Sequence, residues 1–137
     1  SWKLILNSRR CAHVDRSYYH YYRHGGSIVH TVSFDVHHGH VFADMERIDY
    51  LMTSKEYDDS EKVVLAYKTL GHFYNKLAKM VKLASSERER KICVECREWA
   101  LSVPGSYRIR PKYRIFRKMM HDHWKLFWLV QRGEMLK

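Results

Sequence analysis

The strongest constraint on the fold is an apolar stripe in the middle of the chain. Between residues 60 and 84, large apolar or aromatic side chains recur at alternating steps of four and three positions. They are Val63, Tyr67, Leu70, Tyr74, Leu77 and Val81. This spacing places all of them on one face of an α-helix. Asp58 and Glu61 have the spacing of a capping box in front of it. The segment therefore predicts a helix over about 60–84 that buries one face.

Weaker stripes predict a helix on each side of this segment. Residues 36–53 repeat apolar side chains at helical spacing, with Asp35 placed as the N-cap. Ser86 and Glu89 again have capping-box spacing and introduce a third stripe, which Pro104 and the glycine after it end. The stripe positions of these two helices are Val41, Met45, Ile48, Met52, Ile92, Cys96, Trp99 and Val103.

A fourth helix is predicted near the C-terminus. It spans about 111–132 and begins at Pro111, since proline is favoured in the first helical turn. One side of it has Tyr113, Phe116, Met120, Trp124 and Phe127. Because the connections between the four helices are short, an antiparallel helical hairpin or bundle is favoured.

The overall composition is that of a folded protein. The 137 residues are 45% apolar and 29% charged, and a chain of this length can bury one core. No uninterrupted apolar run reaches the roughly 18 residues of a membrane span, and the start lacks the plan of a signal peptide. Three cysteines, Cys11, Cys93 and Cys96, cannot all pair with one another, so reduced thiols in a cytoplasmic protein are expected.

The net charge of +10 favours an anionic partner. Most of the excess lies in residues 107–137, here called the tail, where nine Lys and Arg residues stand against two acidic ones. A phosphorylated small molecule, anionic lipid or nucleic acid would match this charge. Nucleic acid is the least favoured of the three, because no recognised nucleic-acid-binding motif is present.

The first thirty residues follow a different plan. Residues 2–9 are typical of the end of a helix, 11–15 of a short strand, and 18–23 of an aromatic-rich strand. Gly25 and Gly26 then break the pattern, since glycine adopts backbone conformations that other residues avoid. A loop is therefore predicted at this point.

The stretch "WKLILNSRRCAHVDRSYYHYYRHGGSI", residues 2–28, resembles the C-terminal end of the catalytic domain in family 2 glycosyltransferases. These are inverting enzymes of the GT-A type that use nucleotide-diphosphate sugars. The resemblance implies that residues 1–33 are the end of such an α/β domain and that 34–137 are a helical extension of about four helices. The expected fold class is thus mainly α with a short β segment.

The resemblance also implies roles for the loop. Its donor diphosphate-binding residues would be Arg23, His24, Gly25, Gly26 and Ser27, with His24 also a ligand of Mg²⁺ or Mn²⁺ in the intact parent protein. A cation assisted by Arg or His donors stabilises the charge that develops on a leaving diphosphate, which agrees with these roles. The residues alone leave a second interpretation open, a surface turn in which the Arg-His pair is merely solvated.

The resemblance further implies what this chain lacks. The Asp-x-Asp metal motif and the acidic pair with the catalytic base are expected before residue 1, so no catalytic residue is assigned here. The chain opens without Met inside an apolar pattern, and we expect a fragment that is inactive and needs no cofactor by itself. The parent is expected to transfer sugar to a cell-envelope or lipid-linked acceptor.

Two interpretations of the tail helix remain open. Its aromatic side flanked by basic residues fits an interfacial membrane helix, which would place the protein peripherally at the inner face of the membrane. The membrane-surface residues would be Arg114, Phe116, Arg117, Lys118, Trp124, Lys125, Phe127 and Trp128. The other interpretation is a core-packing helix with a solvated basic face.

A non-enzymatic function is the alternative for the whole chain. It would be a helical module that binds nucleic acid or a protein partner through the basic tail. A homodimer is a further expectation, because residues 2–30 without a partner sheet would expose apolar edges.

Histidines and cysteines are weak candidates for a metal site. On a helix, His37, His38 and His40 do not share one face, and no acidic or cysteine residue completes a ligand spacing. Cys93 and Cys96 have zinc-knuckle spacing without a second pair, so core packing is favoured over metal or redox chemistry.

Overall fold

The computed structural model describes residue 10 and residues 33–107 and 109–133. Contacts within the chain divide it into two compact units, Ser1–Thr31 and Val32–Lys137. The helix end, the strands and the donor loop predicted within residues 2–28 lie outside the described residues and stay predictions.

The second unit is mainly helical, as predicted, and the described residues contain five helices. The helices are α1 (Phe34–Thr53), α2 (Asp59–Leu83), α3 (Glu87–Ser102), α4 (Pro111–Asp122) and α5 (Trp124–Arg132). Among the described helices, none has the length and apolarity that a membrane span requires.

Local capping explains where the first three helices begin. The Asp58 carboxylate accepts from the backbone N–H of Glu61 while the Glu61 side chain accepts from the N–H of Asp58, which confirms the predicted capping box. Ser86 and Glu89 form the second predicted box. The N-cap predicted at Asp35 is wrong, because Ser33 accepts from the N–H of Val36 and α1 begins at Phe34.

The core forms where α1 and α2 pack as an antiparallel hairpin, joined by a short polar connection. The apolar stripes predicted from spacing supply it. Val41 and Ile48 of α1 are fully buried, as are Leu77 and Val81 of α2. The remaining helices pack against this hairpin and extend its core through Cys93, Ala100, Tyr113, Met120 and Phe127.

A chain of aromatic contacts joins α4 and α5 to the hairpin. Tyr74 of α2 stacks on Tyr113 of α4 with ring centroids 5.7 Å apart. Phe116 of α4 meets Phe127 of α5 edge to face at 5.6 Å, and Phe127 stacks on Trp124 at 5.5 Å. Aromatic pairs in such geometries contribute about 0.5–1.5 kcal/mol beyond their buried area.

The single helix predicted over 111–132 is wrong, since α4 ends at Asp122 and α5 begins at Trp124. His123 leaves helical geometry, with φ −141° and ψ 57°. The Arg97 side chain of α3 donates through Nε to the carbonyl oxygen of Met120 (2.6 Å) and through Nη2 to that of His121 (3.4 Å). In an unbroken helix these two carbonyls would accept from residues 124 and 125. Arg97 therefore replaces the helical bonds that the break removes.

We expect Arg97→Met to destabilise the protein by about 1–3 kcal/mol, because the variant removes a charged donor from helix-end carbonyls. It also removes the cation–π contact of the guanidinium with Trp124, whose ring centroid is 5.5 Å away. Chemical denaturation followed by helical circular dichroism measures this change. Arg90→Met, on the exposed part of the same helix, is the matched control and should change the stability by less than about 0.5 kcal/mol. Equal effects of the two substitutions would contradict the role given to Arg97.

Candidate functional site

The donor loop predicted from the sequence lies before the helical unit in the chain. Its residues, Arg23, His24, Gly25, Gly26 and Ser27, lie outside the described part of the chain. Their diphosphate-binding and metal-binding roles stay predictions. The pockets and side-chain clusters described below all lie in the helical unit.

A cavity of about 430 Å³ lies beside α4 and is here called the α4 pocket. Its lining residues are Leu101, Gly105, Tyr107, Ile109, Arg114, Arg117, Lys118, His121 and Asp122. The four basic members lie at steps of three, one and three positions, which places them on one face of α4. The pocket thus has one basic wall, formed by a single helix.

The other wall of the α4 pocket is mostly apolar. It comes from the end of α3 and from the loop that follows, where the N–H of Tyr107 donates to the carbonyl of Pro104 in a turn. Tyr107 and Ile109 are 9% and 6% exposed, so they form a packed surface. The sequence builds this wall because Pro104 and Gly105 stop α3 and turn the chain back across its end.

Arg117 of α4 forms hydrogen bonds with the opposite wall of the pocket. Its Nη2 donates to the carbonyl oxygen of Val103 at 2.5 Å and to that of Leu101 at 3.4 Å. These carbonyls lie at the C-terminal end of α3, where helical acceptors lack intrahelical partners. The basic face of α4 is therefore held at a fixed place against the end of α3.

One carboxylate, that of Asp122, lines the α4 pocket. Asp122 is bonded to His121, and this hydrogen bond is the main cause that lowers the pKa of the Asp122 carboxyl, with His123 and Lys118 adding to it. The carboxylate and the imidazole are both exposed. Among the described residues, no carboxylate forms an ion pair with Arg114 or Lys118. The pocket is therefore net positive.

The tail aromatics predicted at a membrane surface pack inward instead. Phe127 is 1% exposed, so its assignment to a membrane surface is corrected by its place in the core. Phe116, Trp124 and Trp128 are half-buried against that core. The basic residues predicted at the membrane surface lie in two places. Arg114, Arg117 and Lys118 line the α4 pocket, and Lys125 is exposed on α5.

A different set of apolar residues on α5 is exposed. Leu126, Leu129 and Val130 are 39%, 40% and 43% exposed. Their spacing of three and four positions places them on one face, here called the outer face of α5. Lys125 lies next to this face, and with Trp124, Trp128 and Leu129 it lines a shallow apolar groove.

A buried carboxylate links α1 to α2. Asp44 is 5% exposed, and its Oδ2 lies 2.5 Å from Nδ1 of His72. Burial raises the pKa of the Asp44 carboxyl, against the hydrogen bond from His72, which lowers it. The pair lies in a cleft of about 370 Å³, here called the α1–α2 cleft. It is lined by His40, Ala43, Asp44, Arg47, Lys68, Thr69 and His72. His72 itself is exposed, so the pair joins a buried carboxylate of α1 to an exposed imidazole of α2.

His37 is a second buried polar group of α1. It is 6% exposed, and neither ring nitrogen has a hydrogen-bond partner among the described residues. Burial lowers the pKa of its imidazole, and Lys76, Lys79 and His40 add to this effect. The lowered pKa keeps the His37 imidazole neutral in the folded protein. The folded state therefore becomes less stable relative to the unfolded state as the pH falls.

The remaining metal and thiol candidates can be placed. Within the described residues, no three His, Cys, Asp or Glu side chains lie close enough together to hold a metal ion. Cys93 and Cys96 are free and buried in the core. Burial is the main cause that raises the pKa of Cys93 to about 12 and that of Cys96 to about 11, so neither is a ready nucleophile at neutral pH.

Sequence reasoning missed the α4 pocket and the Asp44–His72 pair for different reasons. The pocket had a signal, because residues 114, 117, 118 and 121 show one-face spacing of basic side chains. The charge of the tail alone, to which Arg114, Arg117 and Lys118 contribute, does not indicate this shared face. The Asp44–His72 pair joins residues 28 positions apart, and no local pattern indicates such a contact.

Comparisons of this chain with protein-family models, with curated proteins and with solved structures find no match.

The lowered pKa of His37 predicts a loss of stability on acidification. Below the ordinary histidine value of 6.5, the unfolded chain binds a proton that the folded chain does not, so the free energy of unfolding falls as the pH falls. The contribution of this one group has a limit of about 1.4 kcal/mol per pH unit. We expect His37→Leu to reduce the fall measured by chemical denaturation between about pH 7.5 and about pH 5.5.

A second variant separates the causes. Lys76→Met removes the second-largest cause of the lowered His37 pKa while burial remains, so it should reduce the pH dependence by less than His37→Leu does. A His37→Leu protein with the wild-type dependence would contradict this assignment.

Proposed function

We propose that this chain is the C-terminal part of an inverting family 2 glycosyltransferase, formed by the end of the donor-binding domain and a helical extension. The observation that carries this proposal is the order of motifs in residues 2–28, an apolar segment, an aromatic stretch ending in Arg-His, and Gly-Gly-Ser. The reaction would transfer sugar from a nucleotide-diphosphate donor to a cell-envelope or lipid-linked acceptor.

The helical unit is compatible with such an extension. Ser33 caps α1 six residues after Ser27, which leaves a short link of the length usual between elements of a domain. The five helices bury their own core. A unit of this kind can follow a catalytic domain without sharing its core.

The proposed chemistry of the loop follows from its residue types. Arg23 would place a guanidinium against the diphosphate, where its planar donors match phosphate oxygens. Glycine at 25 and 26 would let the backbone approach the phosphates closely. His24 would contribute one nitrogen ligand to a divalent ion, which stabilises the leaving diphosphate when bound. Such ions prefer oxygen ligands, so the acidic residues of the parent would supply the other ligands and the base.

His24→Ala tests the proposed loop in the protein expressed from its complete gene. We expect the variant to bind UDP or GDP in the presence of Mn²⁺ at least about tenfold more weakly than the wild type, since it loses a ligand of the ion. Isothermal titration calorimetry measures this change, and release of free sugar from nucleotide sugars measures activity. His123→Ala, an exposed histidine between α4 and α5, is the control and should match the wild type. A wild-type protein that binds neither nucleotide, with or without Mn²⁺, would be evidence against the proposal.

We further propose that the outer face of α5 contacts an anionic membrane, which would place the protein peripherally at the cytoplasmic face. Three exposed apolar side chains on this face and the neighbouring Lys125 support the proposal. Such a face can enter the interfacial region while lysine meets the lipid phosphates. Phe127 does not take part, because it is buried in the core, while Trp124 and Trp128 line the groove next to this face.

Vesicle co-sedimentation tests the membrane contact. We expect the chain to bind vesicles of phosphatidylcholine with phosphatidylglycerol, and Leu126→Ser/Val130→Ser to weaken binding about tenfold because it removes apolar area from the face. The matched control is Val64→Ser/Leu65→Ser, a pair 71% and 42% exposed on α2, which should bind as the wild type does. No binding by the wild type, or equal loss in the two variants, would remove this proposal.

A further inference from the structure

We propose that the α4 pocket is a binding site for a phosphate or diphosphate group, recognised without a metal ion. The proposal does not depend on the glycosyltransferase assignment. It rests on three features of the pocket. These are basic side chains on one wall, an apolar wall opposite them and a net positive charge.

The basic side chains line the same wall of the pocket because their helical spacing places them on one face of α4. Arg114, Lys118 and His121 are exposed on the pocket face of α4. Arginine offers a planar fork of donors that binds two phosphate oxygens at once, and lysine adds a compact positive charge. A phosphate between Arg114 and Lys118, one helical turn apart, would accept from both.

Arg117 adds donors that are held in place within the pocket lining. Its two hydrogen bonds to α3 carbonyls both come from Nη2, while a guanidinium has five N–H donors in total. Those bonds hold the side chain in place before any ligand arrives. A pre-positioned donor loses less conformational entropy on binding than a free one does.

The unbalanced charge favours an anion in this pocket. Arg114 and Lys118 are like charges at positions i and i+4, and so are Arg117 and His121 when the imidazole is protonated. Such like-charge pairs destabilise a helix. Asp122 is hydrogen-bonded to His121 and offsets only part of the charge. A bound phosphate would relieve the repulsion.

Size and the apolar wall narrow the ligand further. A cavity of about 430 Å³ is in the range of small-molecule sites and exceeds the space that one phosphate fills. Leu101 and Ile109 line the side opposite the basic residues. The class of ligand is therefore a phosphate or diphosphate ester with a small organic group.

The α1–α2 cleft is the weaker candidate for such a ligand. It also has basic side chains, among them Lys68 and Arg47. However, the Asp44 carboxylate lies in that cleft and is hydrogen-bonded to His72. An anion there would meet a buried like charge, whereas Asp122, the carboxylate of the α4 pocket, is exposed to solvent.

The test measures binding of two probes to the 137-residue chain in EDTA, so that a metal-dependent donor loop does not contribute. Inorganic pyrophosphate, followed by isothermal titration calorimetry, represents a soluble ligand. Vesicles of phosphatidylcholine with phosphatidic acid, followed by co-sedimentation, represent a lipid phosphate. The variant is Arg114→Gln/Lys118→Gln, which leaves Arg117 and its structural bonds intact. The control is Arg88→Gln/Lys91→Gln, which removes the same charge from exposed positions of α3.

We expect the wild type and the control to bind a probe equally well, and the pocket variant to bind it at least about tenfold more weakly. Loss of pyrophosphate binding identifies a soluble phosphate ligand, whereas loss confined to phosphatidic acid vesicles identifies a lipid headgroup. Circular dichroism melting of both variants shows whether each is folded, and a pocket variant that is not folded is replaced by Arg114→Lys/Lys118→Gln. The proposal is overturned if the wild type binds neither probe, or if variant and control lose binding equally.

Discussion

The helical unit depends on arginine side chains that bind the carbonyl oxygens at helix ends. Each helix leaves its last carbonyls without intrahelical partners. Arg97 serves the end of α4, Arg117 the end of α3, and Arg132 donates to the carbonyl of Ala84 just after α2, at 2.5 Å. With 12 and 9 residues, α4 and α5 are below the length at which isolated helices are stable in water. These bonds and the aromatic contacts therefore determine where both helices lie, and the position of α4 in turn creates the pocket.

These hydrogen bonds change what the net charge of +10 implies about binding partners. A basic tail was expected to attract anionic partners, but the tail residues Arg117 and Arg132 are hydrogen-bonded within the fold. Arg114 and Lys118 have no such bonds among the described residues. Two of the tail's basic side chains without such bonds therefore lie one helical turn apart on the same face of α4. Concentrated charge favours recognition of one phosphate group over diffuse attraction to a polyanion.

The sequence predicted α1, α2 and α3 well because their signals are local. The capping boxes at Asp58 and Ser86, the apolar stripes and the stop at Pro104 all act within a few residues of the feature they define. The break at His123 depends on Arg97, which lies 23 residues before Met120, and no local signal marks it. The inward packing of Phe127 has no local signal either, because an aromatic stripe beside basic residues fits both a protein core and a membrane surface. The donor loop is different, because only a resemblance in residue order supports it.

Two phosphate sites in one protein would differ in physical mechanism, and this difference limits how they could work together. A loop that uses a divalent ion gains most of its electrostatic stabilisation from that ion. The α4 pocket would rely on exposed guanidinium and ammonium groups, whose attraction falls with ionic strength because solvent screens them. The pocket is therefore suited to a ligand that is bound and released readily, and it would compete poorly with the loop for a nucleotide diphosphate in the presence of the ion.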